Sequence, residues 1–251
     1  MLKAPEFDMS ATRIRNPVSA IRLSTTDVHV WSVKLDALFD PDALSDVLTA
    51  AEIASINDSV VSIEEQRQII ARGLLRFVLS LYLEVSPAAV TIDFENHKAR
   101  LSENFDQSLR FNASAAEAEA MFAIARNRNV GIDLVFQQEV DETMLLSAKH
   151  LTPGEQNLLA LMPEGNRSTA YYRLQSRRSA LAKAKQASMA MAAAAGGGTN
   201  YWAPLGHLSF GRASVDGWTA EDITAPTGYA SALVAERSDW RVQQIRLVAD
   251  R

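Results

Sequence analysis

The run Gly131-Ile132-Asp133-Leu134-Val135 opens like a strand built to hold magnesium and ends without its second ligand. An aspartate two residues past a glycine, on an apolar strand, is well placed to present its carboxylate to a divalent cation. Residues two apart share a strand face, so the neighbour of Asp133 is Val135, which carries no oxygen. Other residues with chemical capacity are cationic. Lys183 and Arg178 lie on a long Ala- and Arg-rich helical stretch, where cations on one side bind phosphate or polarise a carbonyl. The competing reading there is a solvated basic face. Arg67, Arg72 and Arg76 on an amphipathic segment form either an anion-binding face or ordinary exposed arginines. His97 beside Lys98 suits phosphate contact or proton shuttling, against a plain turn histidine. Ser114 ends a strand and offers a hydroxyl to phosphate. His29, His150 and His207 lack ligand-like spacing and read as structural. No Ser-His-Asp order or glycine-rich phosphate loop can be argued from spacing.

The elements that must position these groups follow from periodicity. Residues 1–24 are irregular and polar, a loose N-terminal arm. Asp27 to Lys34 alternates as a strand. Asp40-Pro41-Asp42 reads as a helix start, continued from Ala43 to Ile56. The longest amphipathic helix runs from Ile63 to Glu84, with Ile70, Leu74, Phe77, Val78 and Leu81 as its apolar stripe. Strands follow at Ala89–Glu95, Leu109–Asn112, Ala120–Ala125 and Val130–Val135. Val140 to His150 reads as helix. Thr152-Pro153-Gly154-Glu155 then starts another, with Thr152 as N-cap and Glu155 as the capping-box acid. Ser168 to Ala195 is a long helix broken by Gly196-Gly197-Gly198. Strands return at Leu205–Phe210, Trp218–Ile223, Tyr229–Ala235 and Val242–Leu247. Strand, helix and strands occurring twice predict an α+β fold of two similar lobes, at 25–126 and 127–251.

Composition bounds the function. The 251 residues are 47% hydrophobic and 22% charged, as in ordinary globular proteins. A net charge of -5 gives no broad attraction to nucleic acid or anionic lipid. The absence of cysteine excludes disulfides, thiolate metal sites and cysteine nucleophiles. No segment has the apolar run of a signal peptide or of a membrane span, so a cytoplasmic protein is expected.

The order of several motifs carries a resemblance. Arg67 to Arg76 on a helix, Asn96-His97-Lys98, Phe111-Asn112-Ala113-Ser114, Gly131-Ile132-Asp133, Leu151-Thr152-Pro153-Gly154-Glu155, the helix through Lys183, and Pro226-Thr227-Gly228-Tyr229-Ala230-Ser231 together resemble the Sfp-type 4'-phosphopantetheinyl transferases. The likeness runs from about Asp27 to Leu247. It implies a pseudo-dimer of two similar α+β lobes in one chain and Mg²⁺-assisted transfer of the phosphopantetheine arm of coenzyme A to a carrier-protein serine. It places Arg67, Lys98 and Ser114 against the nucleotide and phosphates of coenzyme A, with Arg178 and Lys183 at the family's two helix lysines.

The departures cluster on the metal site. Val135 stands where the family has a second metal-binding acid, Ser179 where it has the acid that serves as ligand and base, and Ala115 where it has a phosphate-contacting histidine. Asp133 alone remains as a weak ligand, because Mg²⁺ needs only one or two carboxylates when substrate phosphates complete its shell. Glu139 and Asp141 are nearby acids that can substitute. Losing a positioned general base forfeits about 10²–10⁴-fold in rate.

Three expectations result. The leading one is a divergent enzyme acting on carrier-protein- or CoA-linked phosphopantetheine substrates in polyketide- or nonribosomal-type biosynthesis. It needs no cofactor, and Asp133 and Lys183 do acid–base work such as dehydration or cyclisation on the tethered acyl chain. The second is an atypical transferase that uses Mg²⁺ and coenzyme A on an acyl or peptidyl carrier protein. The third is a non-catalytic carrier-protein-binding pseudoenzyme.

Overall fold

A computed structural model describes residues 21–36, 39–56, 62–95, 98–139, 151–193 and 211–249. The expected helix at 140–150 and strand at 205–210 lie outside the described residues, as do His97, Asp141, His150 and His207. Contacts divide the chain into two units, Met1–Asn127 with Arg241–Arg251, and Arg128–Trp240. The described elements mix helix and mainly antiparallel sheet in each unit, an α+β chain.

In the first unit, β1 (Asp27–Lys34) lies between β5 (Glu119–Arg126) and β10 (Arg241–Arg246), and β4 (Leu109–Ala116) completes the order β10-β1-β5-β4. β1, with both edges paired, is buried almost throughout. The sequence expectation assigned everything after residue 126 to a second lobe. Instead β10 pairs parallel with β1, from Asp27 opposite Arg241 to Ser32 opposite Arg246. Arg241 Nε bonds Asp27 Oδ1 at 2.7 Å and clamps the start of this ladder. Just past the strand, Leu247 enters the core.

Helix α3 (Ile63–Leu83) covers this sheet. Ser62 and Glu65 form a capping box at its start. Ile70, Leu74, Phe77 and Val78, spaced three and four apart, pack among Trp31, Val33, Phe111 and Phe122. The single helix expected over 43–56 is two, α1 (Pro41–Ser45) and α2 (Ala50–Ala54). The break is explained by Thr49 and Glu52, a second capping box that restarts the helix. After α3 comes a 3₁₀ turn (Pro87–Ala89) and a hairpin of β2 (Ile92–Glu95) and β3 (Lys98–Leu101), the latter strand not read from sequence.

Two of the three α3 arginines have internal work. Arg76 is almost wholly buried and pairs with Glu52 at 2.7 Å, so it belongs neither to an anion-binding face nor to a solvated one. Arg72 Nη1 donates to Glu52 O at 3.0 Å and to Ser55 Oγ at 2.7 Å. A helix that must hold α2 in place uses long cationic side chains to reach it, a role that an amphipathic pattern does not reveal.

The second unit carries the antiparallel sheet β6-β9-β8-β7, from β6 (Val130–Phe136), β9 (Tyr229–Glu236), β8 (Trp218–Asp222) and β7 (Ala213–Val215). Helix α4 (Pro153–Leu161) has the expected Thr152–Glu155 capping box. Helix α5 (Glu164–Ala193) begins earlier than its pattern suggested. Its Ala180 and Ala184 pack on Ala220, Ala232 and Val234 of the sheet, small residues that let helix and strands approach closely.

Candidate functional site

In the second unit the chemistry gathers where α5 crosses β6. Gly131, Asp133 and Val135 alternate onto one strand face, and α5 lies against that face. The approach is so close that a Cβ on Gly131 would stand 2.1 Å from Ala180 O and 2.6 Å from Ala184 N. Glycine is therefore required at this position for space. The same approach brings Lys183 onto β6, where its ammonium donates to Asp133 Oδ1 at 2.8 Å and to Ile132 O at 3.1 Å. Asp133 is largely buried and Lys183 about one-third exposed. β6 is an edge strand, and its carbonyls find side-chain donors: Asp133 O accepts from Ser176 Oγ at 3.1 Å and Ser231 Oγ at 2.7 Å. The two residues that the sequence singled out for acid–base work are thus direct partners.

A second buried pair on the same face had no sequence signal. Asp222 lies opposite Ala232, which lies opposite Asp133, so both carboxylates stand at one level of the sheet. Arg177 of α5, fully buried, bonds Asp222 Oδ1 at 2.5 Å and also the carbonyl of Gly211. It is fixed internally. Arg178 is engaged elsewhere. It forks onto the buried Glu155 carboxylate, with Nε to Oε1 at 3.0 Å and a second bond to Oε2. Glu155 keeps its capping bonds to Thr152, so this pair ties α4 to α5. Arg178 and Lys183 therefore serve different carboxylates rather than forming one phosphate clamp.

The donor set bears on the magnesium that the resemblance implies. Val135 offers no oxygen, and Ser179 is an exposed hydroxyl in place of a carboxylate. Asp133 has the Lys183 ammonium against an oxygen that a cation would use, and Asp222 at the same level of the sheet is held by Arg177. Mg²⁺ demands near-octahedral oxygen donors, and the described residues do not fit a protein-held magnesium site.

Arg67 and Ser114 belong to the first unit, where they line a cavity of about 370 Å³ between α3 and the end of β4. Glu64, Arg67, Gln68, Ala71, Arg72 and Leu75 share one helix face along it; Ala113 to Glu117 form the opposite wall, with Leu35 and Phe122 also lining it. Arg67 grips Asp36 through Nε at 2.9 Å and Nη2 at 3.0 Å, and Glu117 stands 3.6 Å from Nη1. These bonds hold the Asp36 carboxyl below its usual range. Burial pushes the Glu119 carboxyl up, against the pull of Arg246 and Lys34. Lys98 opens β3 with its backbone opposite Glu95; its side chain is outside what the structure describes.

Among the described residues no helix is long and apolar enough to cross a membrane. No family model matches the chain. Compared with curated proteins, it is 30% identical over 159 residues to the 4'-phosphopantetheinyl transferase HetI of Nostoc sp. (strain PCC 7120). That alignment takes in 61% of this chain and spans 66% of the relative's length. With the motif order and the α+β architecture, this similarity identifies the lineage: the chain belongs to the Sfp-type 4'-phosphopantetheinyl transferase superfamily.

Proposed function

We propose that this protein acts on the phosphopantetheine arm, in coenzyme A or tethered to an acyl or peptidyl carrier protein, and that its reaction is not the standard magnesium-dependent transfer. The observation that carries this reading is the closed pair of Asp133 and Lys183 at 2.8 Å, on a strand whose next helix-facing position is Val135. A carboxylate shared with an ammonium, and largely sheltered from water, suits proton transfer better than metal coordination. In a dehydration, Asp133 accepts the proton next to the thioester carbonyl, the C–H electron pair becomes the new C=C bond, and the β-hydroxyl leaves as water with a proton from Lys183. Arg67, Ser114, Lys98 and Arg178 contribute to recognition of the arm or its carrier. The two units are read as variants of one plan, the pseudo-dimer arrangement, with secondary-metabolite assembly in the cytoplasm as the setting.

A second reading is ordinary transfer from coenzyme A to an apo carrier protein, favoured by the 30% identity to HetI. One experiment separates the two. Apo and acyl-loaded carrier proteins from the host organism are incubated with the protein, coenzyme A and Mg²⁺, and followed by intact-protein mass spectrometry. A change in the acyl chain of the loaded carrier, lost in Asp133→Ala, supports the proposal. A gain of one phosphopantetheine on the apo carrier establishes the second reading and overturns the first. No change on any carrier sinks both and leaves a binding role.

A further inference from the structure

The dehydration drawn above leaves one charge unattended. As Asp133 takes the proton, negative charge builds on the thioester carbonyl oxygen, while Lys183 serves Asp133 Oδ1, Ile132 O and the departing hydroxyl. Other polar side chains around the pair are spent on the protein itself. Ser176 and Ser231 donate to Asp133 O, Arg177 holds Asp222, Arg178 holds Glu155, and Tyr172 Oη donates to Gln138 O. Ser179 differs. It follows Ser176 by three residues and precedes Lys183 by four, so the three share one side of α5, with neighbouring Cβ atoms about 5–6 Å apart. Ser176 and Lys183 both bond β6 at Asp133, which fixes that side of the helix along the strand, yet Ser179 is exposed. A hydroxyl one turn from the ammonium is therefore open to a ligand that lies over the pair.

We infer that Ser179 is a further catalytic residue, whose hydroxyl donates to the thioester carbonyl oxygen of the phosphopantetheine-linked substrate. The inference rests on the acid–base reading above and supplies the donor that reading lacks. Ser179 keeps its proton throughout. Asp133 takes the proton next to the carbonyl and Lys183 gives one to the leaving hydroxyl, so the hydrogen bond only stabilises the charge as it forms. The residue type matters here, since an ionised carboxylate at this position accepts but does not donate, and would repel the oxygen. Val135 and Ser179 place no negative charge against it, and Asp133 becomes neutral as it accepts the proton.

The test uses the full chain and two probes: a carrier protein from the host organism loaded with a 3-hydroxybutyryl thioester, and the same carrier loaded with a butyryl thioester in deuterium oxide. Mass spectrometry follows water loss from the first and deuterium retained in the acyl chain of the second. The butyryl chain has no leaving group, so its exchange isolates the Asp133 step. In Ser179→Ala, kcat for water loss and the exchange rate should both fall about 10²-fold, the low end for one oxyanion donor because this one is exposed, with KM near that of the wild type. Ser179→Thr keeps a hydroxyl and should recover most of the rate, whereas Ser179→Glu should abolish exchange. Urea midpoints of all three should stay close to the wild type, because the side chain is exposed. A Ser179→Ala protein that exchanges and dehydrates at the wild-type rate, or that changes KM alone, overturns the inference and leaves the acid–base reading standing. A wild type that alters neither probe removes that reading, and the inference with it.

Discussion

Replacing Gly131 with alanine tests the packing on which the Asp133–Lys183 pair depends. Where a residue's backbone is permissive and space is open, Gly→Ala stabilises by about 0.4–1 kcal/mol, because the unfolded chain loses freedom. Gly131 has no left-handed φ, so the backbone itself does not object. Space does. The new Cβ would lie 2.1 Å from Ala180 O, 2.6 Å from Ala184 N and 3.0 Å from Ala184 Cβ, and the first two are backbone atoms of α5. Comfortable non-bonded separations are about 3.5 Å or more, so α5 must retreat by roughly 1 Å along this stretch. Overpacking of this kind costs about 1–3 kcal/mol, and the upper end applies because a whole helix must move. Clash therefore outweighs entropy, for a net loss of about 2 kcal/mol. At about 2–8 °C per kcal/mol across domains of this size range, the second unit's melting temperature should fall by roughly 5–15 °C. Calorimetry and urea unfolding followed by Trp218 and Trp240 fluorescence measure it. Gly165→Ala is the control, since nothing stands within 4 Å of its Cβ and α5 should gain a few tenths of a kcal/mol, or ~0.5, from helix propensity. A Gly131→Ala protein as stable as the wild type would refute the account of how α5 sits on β6.

Three further outcomes are expected. Arg76→Met should cost about 3–5 kcal/mol in urea unfolding by stranding the buried Glu52 carboxylate, and adding Glu52→Gln, which keeps the cap on Thr49, should recover most of it. Lys183→Met should cost only about 1 kcal/mol in the same assay, since its ammonium is part exposed and screened, while abolishing any acyl-chain chemistry seen by mass spectrometry. Burial lowers the His29 pKa, and Asp27 only partly opposes it. Its Nδ1 meets Tyr82 Oη at 2.8 Å, the same hydroxyl receives Trp31 Nε1–H, and among the described residues Nε2 has no partner. The unfolded chain takes up a proton near pH 6.5 and the native ring only at a lower pH, so this contribution is complete above that pH. It is lost as pH falls below that, by at most about 1.4 kcal/mol per unit. Urea midpoints from pH 5 to 8 should show the slope in wild type and a flatter line in His29→Gln.

Local physics was legible in the residues. Ser62–Glu65 and Thr152–Glu155 announce helix starts because a cap needs only residues three apart. The apolar stripe of α3 and the alternation of β1, β5, β6 and β9 likewise reflect short-range periodicity. The absence of a carboxylate at Val135 and at Ser179 is a fact of composition at fixed positions.

What depended on distant partners was not legible. β10 joins the first unit because β1 has a second edge to fill, and a pairing across more than two hundred positions leaves no mark on either strand. The fates of the cations were decided the same way. Sequence shows that Arg67, Arg76, Arg177 and Arg178 carry charge; only folding selects Asp36, Glu52, Asp222 and Glu155 as their counter-ions, since burying a charge demands whichever acid the packing brings near. Asp133 and Lys183 each carry a sequence signal of their own, fifty positions apart. Their contact follows from Gly131, whose missing side chain lets α5 settle close enough for a lysine to reach the strand.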